Sequence, residues 1–285
     1  MIRLDGNSLA AFRGAGVAGT VQRMAGCELF GEARGTSPYS AAATRALKAQ
    51  FPTQWPTIRD YGFAHPALVP FINEDPMLVM SLIDGLGERW LVTDGASYIN
   101  TGYASETDNA KFRIIYKQTG NADRYTGFFG SQKVSQDTNW NLNPFYSSAG
   151  MKFEMYLGSS VTIQSYTNVQ NQVYDFVGEI FSNHTAILTM NGTSVSKNWS
   201  GTISQDNANI ALFTLWNGSN YTARLIKNFQ VSLFYIENNG VAKRNLVPCK
   251  HIVNGNLEIG MLDTINVVFY QNAGSGSFTI SESPS

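Results

Sequence analysis

The chain has 285 residues, of which 43% are hydrophobic, 12% aromatic and only 14% charged, against roughly 25% charged in ordinary soluble domains. That length accommodates one large domain with a smaller companion. A formal charge of −1 and a pI near 6.3, balanced along the chain, exclude the basic footprint needed to hold nucleic acid or an anionic membrane surface.

Asn, Ser, Thr, Gly and Tyr take the place of the missing charges, a composition suited to exposed β-sheet faces and their turns. No stretch of about 20 apolar residues is present, so no membrane span is expected. Met24-Ala25-Gly26-Cys27 looks like a lipoprotein cleavage box. The segment before it is interrupted by Arg13 and by glycines, so the apolar run of a signal peptide is missing and the chain as written is expected to be soluble without its own export signal. Cys27 and Cys249 are read as two buried thiols rather than a disulfide scaffold.

Residues 1–85 are rich in Ala, Gly, Arg and Pro and weak in period-2 alternation. One helix is expected over Ser40–Gln50, where Ala dominates, Ser37 or Ser40 offers a cap and Pro52 ends the run. Phe51, Trp55, Tyr61, Phe63 and Phe71 are spread among Pro52, Pro56, Pro66, Pro70 and Pro76. The pattern reads as an extended, partly helical arm that docks aromatic side chains on its own sandwich or on another subunit. Disorder is disfavoured by the aromatic content.

From about Trp90 the pattern becomes that of strands, expected at Tyr98–Thr101, Lys111–Gln118, Tyr125–Gly130, Met151–Leu157, Val161–Tyr166, Val173–Ile180, Ala186–Met190, Ile210–Leu215, Phe229–Glu237 and Val267–Tyr270. In Phe229–Ile236, strict alternation puts Phe229, Val231, Leu233 and Tyr235 on one face and Gln230, Ser232, Phe234 and Ile236 on the other. Both faces carry apolar residues, which makes this strand central. Asn191-Gly192 and Asn239-Gly240 are hairpin signals, because a type I′ turn requires positive φ at both central residues. Pro248-Cys249 reads as a strand end. Many short strands with almost no helix between them mean a sandwich or a barrel.

Three phrases carry a family resemblance. Asp94-Gly95-Ala96-Ser97-Tyr98-Ile99-Asn100-Thr101-Gly102-Tyr103 resembles an opening phrase in which Asn100 stands where the family has Asp; Asn209–Phe213 resembles a central strand. Lys227–Ile236 leads through Asn239-Gly240 and Arg244–Cys249 to Ile259–Tyr270 and Asn272–Gly276. Over residues ~90–280 the chain is thereby similar to LamG-like, concanavalin A-like lectin-type domains of gut Bacteroidetes proteins and their phages. The resemblance implies an all-β, concanavalin A-like jelly-roll sandwich over residues 86–285; residues 1–85 resemble no known family and are read from their own composition as an anchoring and oligomerisation arm. The resemblance further implies a virion structural protein, such as a fibre, decoration or appendage subunit, or else a glycan-binding module of a bacterial surface or secreted protein. The partners expected are other virion or surface proteins through residues 1–85, further copies of the chain, and host glycans.

Nothing in the sequence marks a catalyst. A glycosidase needs two facing carboxylates about 5–10 Å apart, and the nearest candidates, Asp175 and Glu179, stand about 13 Å apart along one strand. His65, His184 and His251 lack partners at metal-ligand spacing, and no nucleotide or Ser-nucleophile motif sits in its required context. No cofactor is expected; Asp94, Asp108 and Asp123 are the residue type of a calcium site but form no compact loop and read as surface turn residues. Sugar recognition instead needs aromatic faces with amides and hydroxyls nearby. Trp140, Trp199, Trp216 and Tyr221 have such neighbourhoods and are read as sugar platforms or as half-buried loop anchors.

Overall fold

The computed structural model of the chain describes residues 37–83, 87–104, 109–120, 128–131, 140–147, 150–157, 159–161, 169–198, 209–214 and 225–284, with the backbone alone at 87–88, 131, 140–147, 150–157, 159–161 and 283–284. The chain divides into two compact units, Met1–Val79 and Met80–Ser285.

The first unit is helical over its described residues. Helix α1 (Ala41–Gln50) is capped by the Ser40 hydroxyl, which accepts from the Ala43 N–H. Helices α2 (Trp55–Ala64) and α3 (Val69–Glu74) follow, and α4 (Val79–Leu82) begins where the unit ends. Prolines punctuate rather than extend this region. Phe51, His65 and Asp75 each close a helical turn with φ near −130° and ψ of 59–78°, and each precedes a proline, whose ring bars the α conformation to the residue before it. Pro66 and Pro76 then start short 3-10 turns that bury Leu68 and Leu78. Helix is therefore more extensive here than the single run read from the sequence. Ala43, Leu47, Phe51, Ile58, Leu68 and Ile72 are all buried, and the Tyr39 hydroxyl donates to the Ile58 carbonyl at 2.7 Å.

The second unit is a two-sheet antiparallel sandwich. The larger sheet runs β10 (Thr193–Asn198), β9 (Thr185–Met190), β8 (Val173–Ile180), β3 (Ala110–Gln118), β12 (Phe229–Asn238), β13 (Val241–Val253), β14 (Asn256–Asp263), β15 (Val268–Tyr270). At its middle, β1 (Gly87–Thr93) pairs with both β12 and β16 (Phe278–Pro284). The smaller sheet runs β2 (Ile99–Ala104), β11 (Asn209–Leu212), β4 (Phe129–Ser131), β5 (Trp140–Ser147), β6 (Gly150–Leu157), β7 (Ser159–Val161). Between the sheets lies an aromatic core. Phe129 of the smaller sheet meets Phe112 and Phe234 of the larger at ring-centroid distances of 4.8 and 5.0 Å, and Phe128 meets Phe229 at 4.9 Å. These are tilted and edge-on geometries that aromatic quadrupoles favour. The expected hairpins form as read: Asn191, Gly192, Asn239 and Gly240 all have positive φ, and a third Asn-Gly pair, Asn254-Gly255, turns β13 into β14 the same way.

Two expectations are corrected. The register of β12 shifts between Val231 and Leu233, and the extra residue of this bulge reverses the alternation. The core face of β12 is therefore Phe229, Val231, Phe234 and Ile236, all buried, while Leu233 and Tyr235 turn outward and are only half-buried. Nor does Pro248-Cys249 end a strand, since β13 continues to Val253. Pairing with β12 stops at Leu246, so the missing N–H of Pro248 breaks no ladder on that side. In this region the larger sheet is apolar on both faces. Leu246 and Met261 point into the core, while Val247, Cys249 and Leu262, opposite in parity, are equally buried. Cys249 is buried, its Sγ 3.3 Å from the Lys250 carbonyl oxygen; Cys27 lies outside the described residues.

Candidate functional site

The segments that carry the sequence resemblance meet around β2. The Asp94 carboxylate accepts from the backbone N–H of Ala96 and Ser277 and from the Ser97 hydroxyl at 2.7–2.9 Å. Burial alone would raise its pKa, but these bonds hold the carboxyl below its usual range. The Asn272 side chain accepts from the Tyr98 N–H, and the Ala273 N–H donates back to the Tyr98 carbonyl. The Thr101 hydroxyl donates to the Ile210 carbonyl at 2.7 Å.

The centre of this arrangement is Arg244. Its Nε donates to the Thr101 carbonyl at 2.9 Å and its Nη1 to the Lys243 carbonyl at 2.7 Å. Its guanidinium lies 5.5 Å from the Tyr103 ring centroid and 5.8 Å from that of Tyr270, within cation–π range of both. The fully buried Asp263 stands 3.7 Å from Nε. Asp263 also accepts from the backbone N–H of Asn245 and Ile265 and from the Asn266 side chain, which satisfies a carboxylate that burial would otherwise penalise. Burial pushes the Tyr270 hydroxyl above its usual pKa, with the Arg244 charge opposing that shift and Asp263 adding to it. The result is a corner where the edges of the two sheets are bound together and two tyrosine rings flank a guanidinium near the surface.

The residues nominated from the sequence fall elsewhere. Trp140 opens β5, its backbone paired with Ser131 and Leu157. Trp199, Trp216 and Tyr221 lie outside the described residues, as do Asp108 and Asp123. In the helical unit Phe51 is buried; Trp55, Tyr61 and Phe71 are half-buried; Phe63 is exposed. Tyr61 stacks on His65 at 4.0 Å and Trp55 lies 6.3 Å from Tyr39. Tyr103, Arg244, Asp263 and Tyr270 lie within the phrases that carry the resemblance but not among the residues expected to bind a ligand. The available signal was an Arg embedded in a strand and an Asp opening a turn.

Among the described residues of the sandwich, the carboxylates of Asp94, Asp175, Glu179, Glu237, Asp263 and Glu282 are engaged in structural contacts. Asp175 and Glu179 share the outer face of β8 as expected, and there Asp175 binds Arg113 through both oxygens at 2.8–2.9 Å while Glu179 meets Lys111 at 3.1 Å. Glu282 is shared by Arg89 and Lys250, both at 3.4 Å, and Glu237 accepts from the Tyr235 hydroxyl at 2.7 Å. Among the described residues no group of three or more His, Cys, Asp and Glu is placed to hold a metal ion, and no helix is long and apolar enough to cross a membrane.

No family model and no curated protein matches the sequence. Solved structures do match in shape. A Bacteroides ovatus protein assigned provisionally to carbohydrate binding superimposes with a TM-score of 0.50 at 10% identity over 70% of this chain. The likeness is one of fold: the second unit is an antiparallel β-sandwich. The match covers 61% of the Bacteroides ovatus protein, so the chain spans about three fifths of its length. Tailspike protein 2 of the Escherichia coli O157:H7 bacteriophage CAB120 matches at TM-score 0.35 and 8% identity, over 49% of this chain and 21% of that one. The extracellular region of zebrafish Gpr126/Adgrg6 matches at 0.38 and 11% identity, over 53% and 21%. Neither of these two bears on more than the shared β-rich region.

Proposed function

We propose that the chain is a non-enzymatic virion structural protein of LamG-like type, a fibre, decoration or appendage subunit. Its lectin-like sandwich faces outward and contacts host-surface glycans, and residues 1–85 join it to other virion proteins or to further copies of itself. The observation that supports the binding rather than catalytic reading is the engagement of acidic side chains among the described residues of the sandwich, where Asp175, Glu179 and Asp263 are held by Arg113, Lys111 and Arg244 with turn amides. A glycosidase would keep two carboxylates facing one cleft. The virion role rests on the resemblance of the Asp94–Tyr103 and Lys227–Gly276 phrases to domains of phages of gut Bacteroidetes. The separate helical unit, which leaves Phe63 exposed, supports an assembly role.

Two measurements test this. A glycan array probed with the full chain is expected to return hits that Trp216→Ala weakens; a blank array at millimolar sensitivity refutes glycan binding. Light scattering of the full chain is expected to show an oligomer that Phe63→Asp dissociates, and a monomer for both refutes assembly through this unit. The second reading, a glycan-binding module of a bacterial surface or secreted protein, is favoured by the likeness to the Bacteroides ovatus structure. Array hits from a monomeric chain would select it.

A further inference from the structure

The corner built around Arg244 reaches solvent at Gly102. Gly102 is exposed and has a φ of +62°, and its N–H donates to the Asn100 side chain at 3.0 Å in a tight local turn. A Cβ built on Gly102 would stand 3.6 Å from Tyr270 Cε1 and 3.8 Å from both the Tyr270 hydroxyl and Arg244 Nη2. Any longer side chain at this position would cover the ring edge, the hydroxyl and the guanidinium. Glycine leaves them bordering a notch whose floor is the backbone of β2.

The chemistry of the notch is specific. A pyranose offers an apolar face for an aromatic ring and a rim of hydroxyls for polar neighbours, and Tyr270 supplies both a half-buried ring and a hydroxyl at the opening. Arg244 has five N–H donors. Its bonds to the Thr101 and Lys243 carbonyls account for two of them, and the Arg244 side chain as a whole is 16% exposed. The remaining donors suit a carboxylate, which a planar guanidinium recognises better than any neutral sugar group. Tyr103 and Tyr270 flank the guanidinium and Asp263 lies on its buried side, so the cation is already in position before a ligand arrives.

We propose that Gly102, Tyr270 and Arg244 form a subsite for a pyranose bearing a carboxylate, a uronic acid-type sugar, resting on the glycan-binding reading above and naming its place and class. The test is an amide NMR titration of the full chain with methyl β-glucuronide and, separately, methyl β-glucoside at millimolar concentrations. Glucuronide is expected to shift the amides of Gly102, Tyr103 and Tyr270 more strongly than glucoside. Gly102→Ala, which fills the notch, is expected to abolish those shifts. Because alanine is strained at positive φ, Tyr270→Phe serves as a second variant that keeps the ring; it is expected to weaken glucuronide binding by about fivefold, the range one hydrogen bond supports. Equal shifts from both sugars would overturn the acidic class. Shifts confined to other amides and unchanged by Gly102→Ala would overturn the subsite while leaving glycan binding intact. No shift from either sugar would also overturn the subsite, and the array result then decides the wider reading separately.

Discussion

Gly178 is the position where packing of the sandwich is tested most sharply. It sits on the core face of β8 directly opposite Phe112 of β3, and a Cβ built there falls inside the Phe112 ring. The ring has little room to retreat, being 4.8 Å from Phe129 and 5.8 Å from Phe176 between centroids. Gly178→Ala is therefore an overpacking change expected to cost about 1–3 kcal/mol, a melting-point drop of about 2–12 °C for a unit of this size. Phe112→Ala alone opens a cavity at a cost of about 3–5 kcal/mol. In the double variant the new methyl occupies space the phenyl has vacated. Gly178 is absent from the positive-φ positions, so alanine suits its backbone, and in the Phe112→Ala background the Gly178→Ala change should become neutral or stabilising by about 0.4–1 kcal/mol. Urea unfolding of the four proteins, followed by far-UV circular dichroism, gives the cycle, and a coupling of about 1–3 kcal/mol is expected. Additive effects would show that the phenyl and the glycine do not share this space and would refute the assigned packing.

Gly260→Ala is expected to be more damaging, because its Cβ would collide with the Tyr270 backbone carbonyl, which cannot rotate away as a side chain can; loss of hydrogen-exchange protection at β15 is the readout. Asp263→Ala leaves Arg244 and three donors without their buried acceptor and should cost about 3 kcal/mol in urea unfolding. Arg113→Ala removes an ion pair whose partners are 45% and 42% exposed, so it should cost under about 1 kcal/mol, and less in high salt. Asp94 has a folded pKa below its unfolded value, so its contribution is fully present above the unfolded pKa and is lost as pH falls through the folded one. Asp94→Asn should accordingly flatten the acid limb of a stability-against-pH curve below about pH 4, and an unchanged limb would refute the role of its three hydrogen bonds.

Legibility followed how local the determining physics was. Strand β8 was read to the residue because one of its faces is buried throughout and its alternation is unbroken. The Asn-Gly turns were legible because positive φ is a property of two residues. Strand β10, Thr193–Asn198, was missed because an edge strand exposed almost everywhere carries no hydrophobic period. Strand β13 was cut short at Cys249 and β14 was missed for the opposite reason: Val247, Cys249 and Leu262 are buried on one face and Leu246 and Met261 on the other, and two apolar faces erase alternation. The prolines of the helical unit were read as extending the chain, whereas Pro66 and Pro76 occupy first-turn positions where a missing N–H costs nothing.

Composition, short-range turn chemistry and hydrophobic period were enough to indicate a β-sandwich or barrel from about Trp90 onward and a helix starting at Ser40, while the choice of sandwich rested on the family resemblance. Tertiary structure alone decided which face of β12 points inward, because a single-residue bulge reverses parity without changing composition. It alone brought Arg244 to Thr101, 143 positions away, and to the turn at Asp263. Turns and strand periods arise from contacts between residues a few positions apart and leave their mark along the sequence. A site made by closing one sheet edge onto another depends on register and bulges across the whole sandwich, and no short window of sequence carries that information.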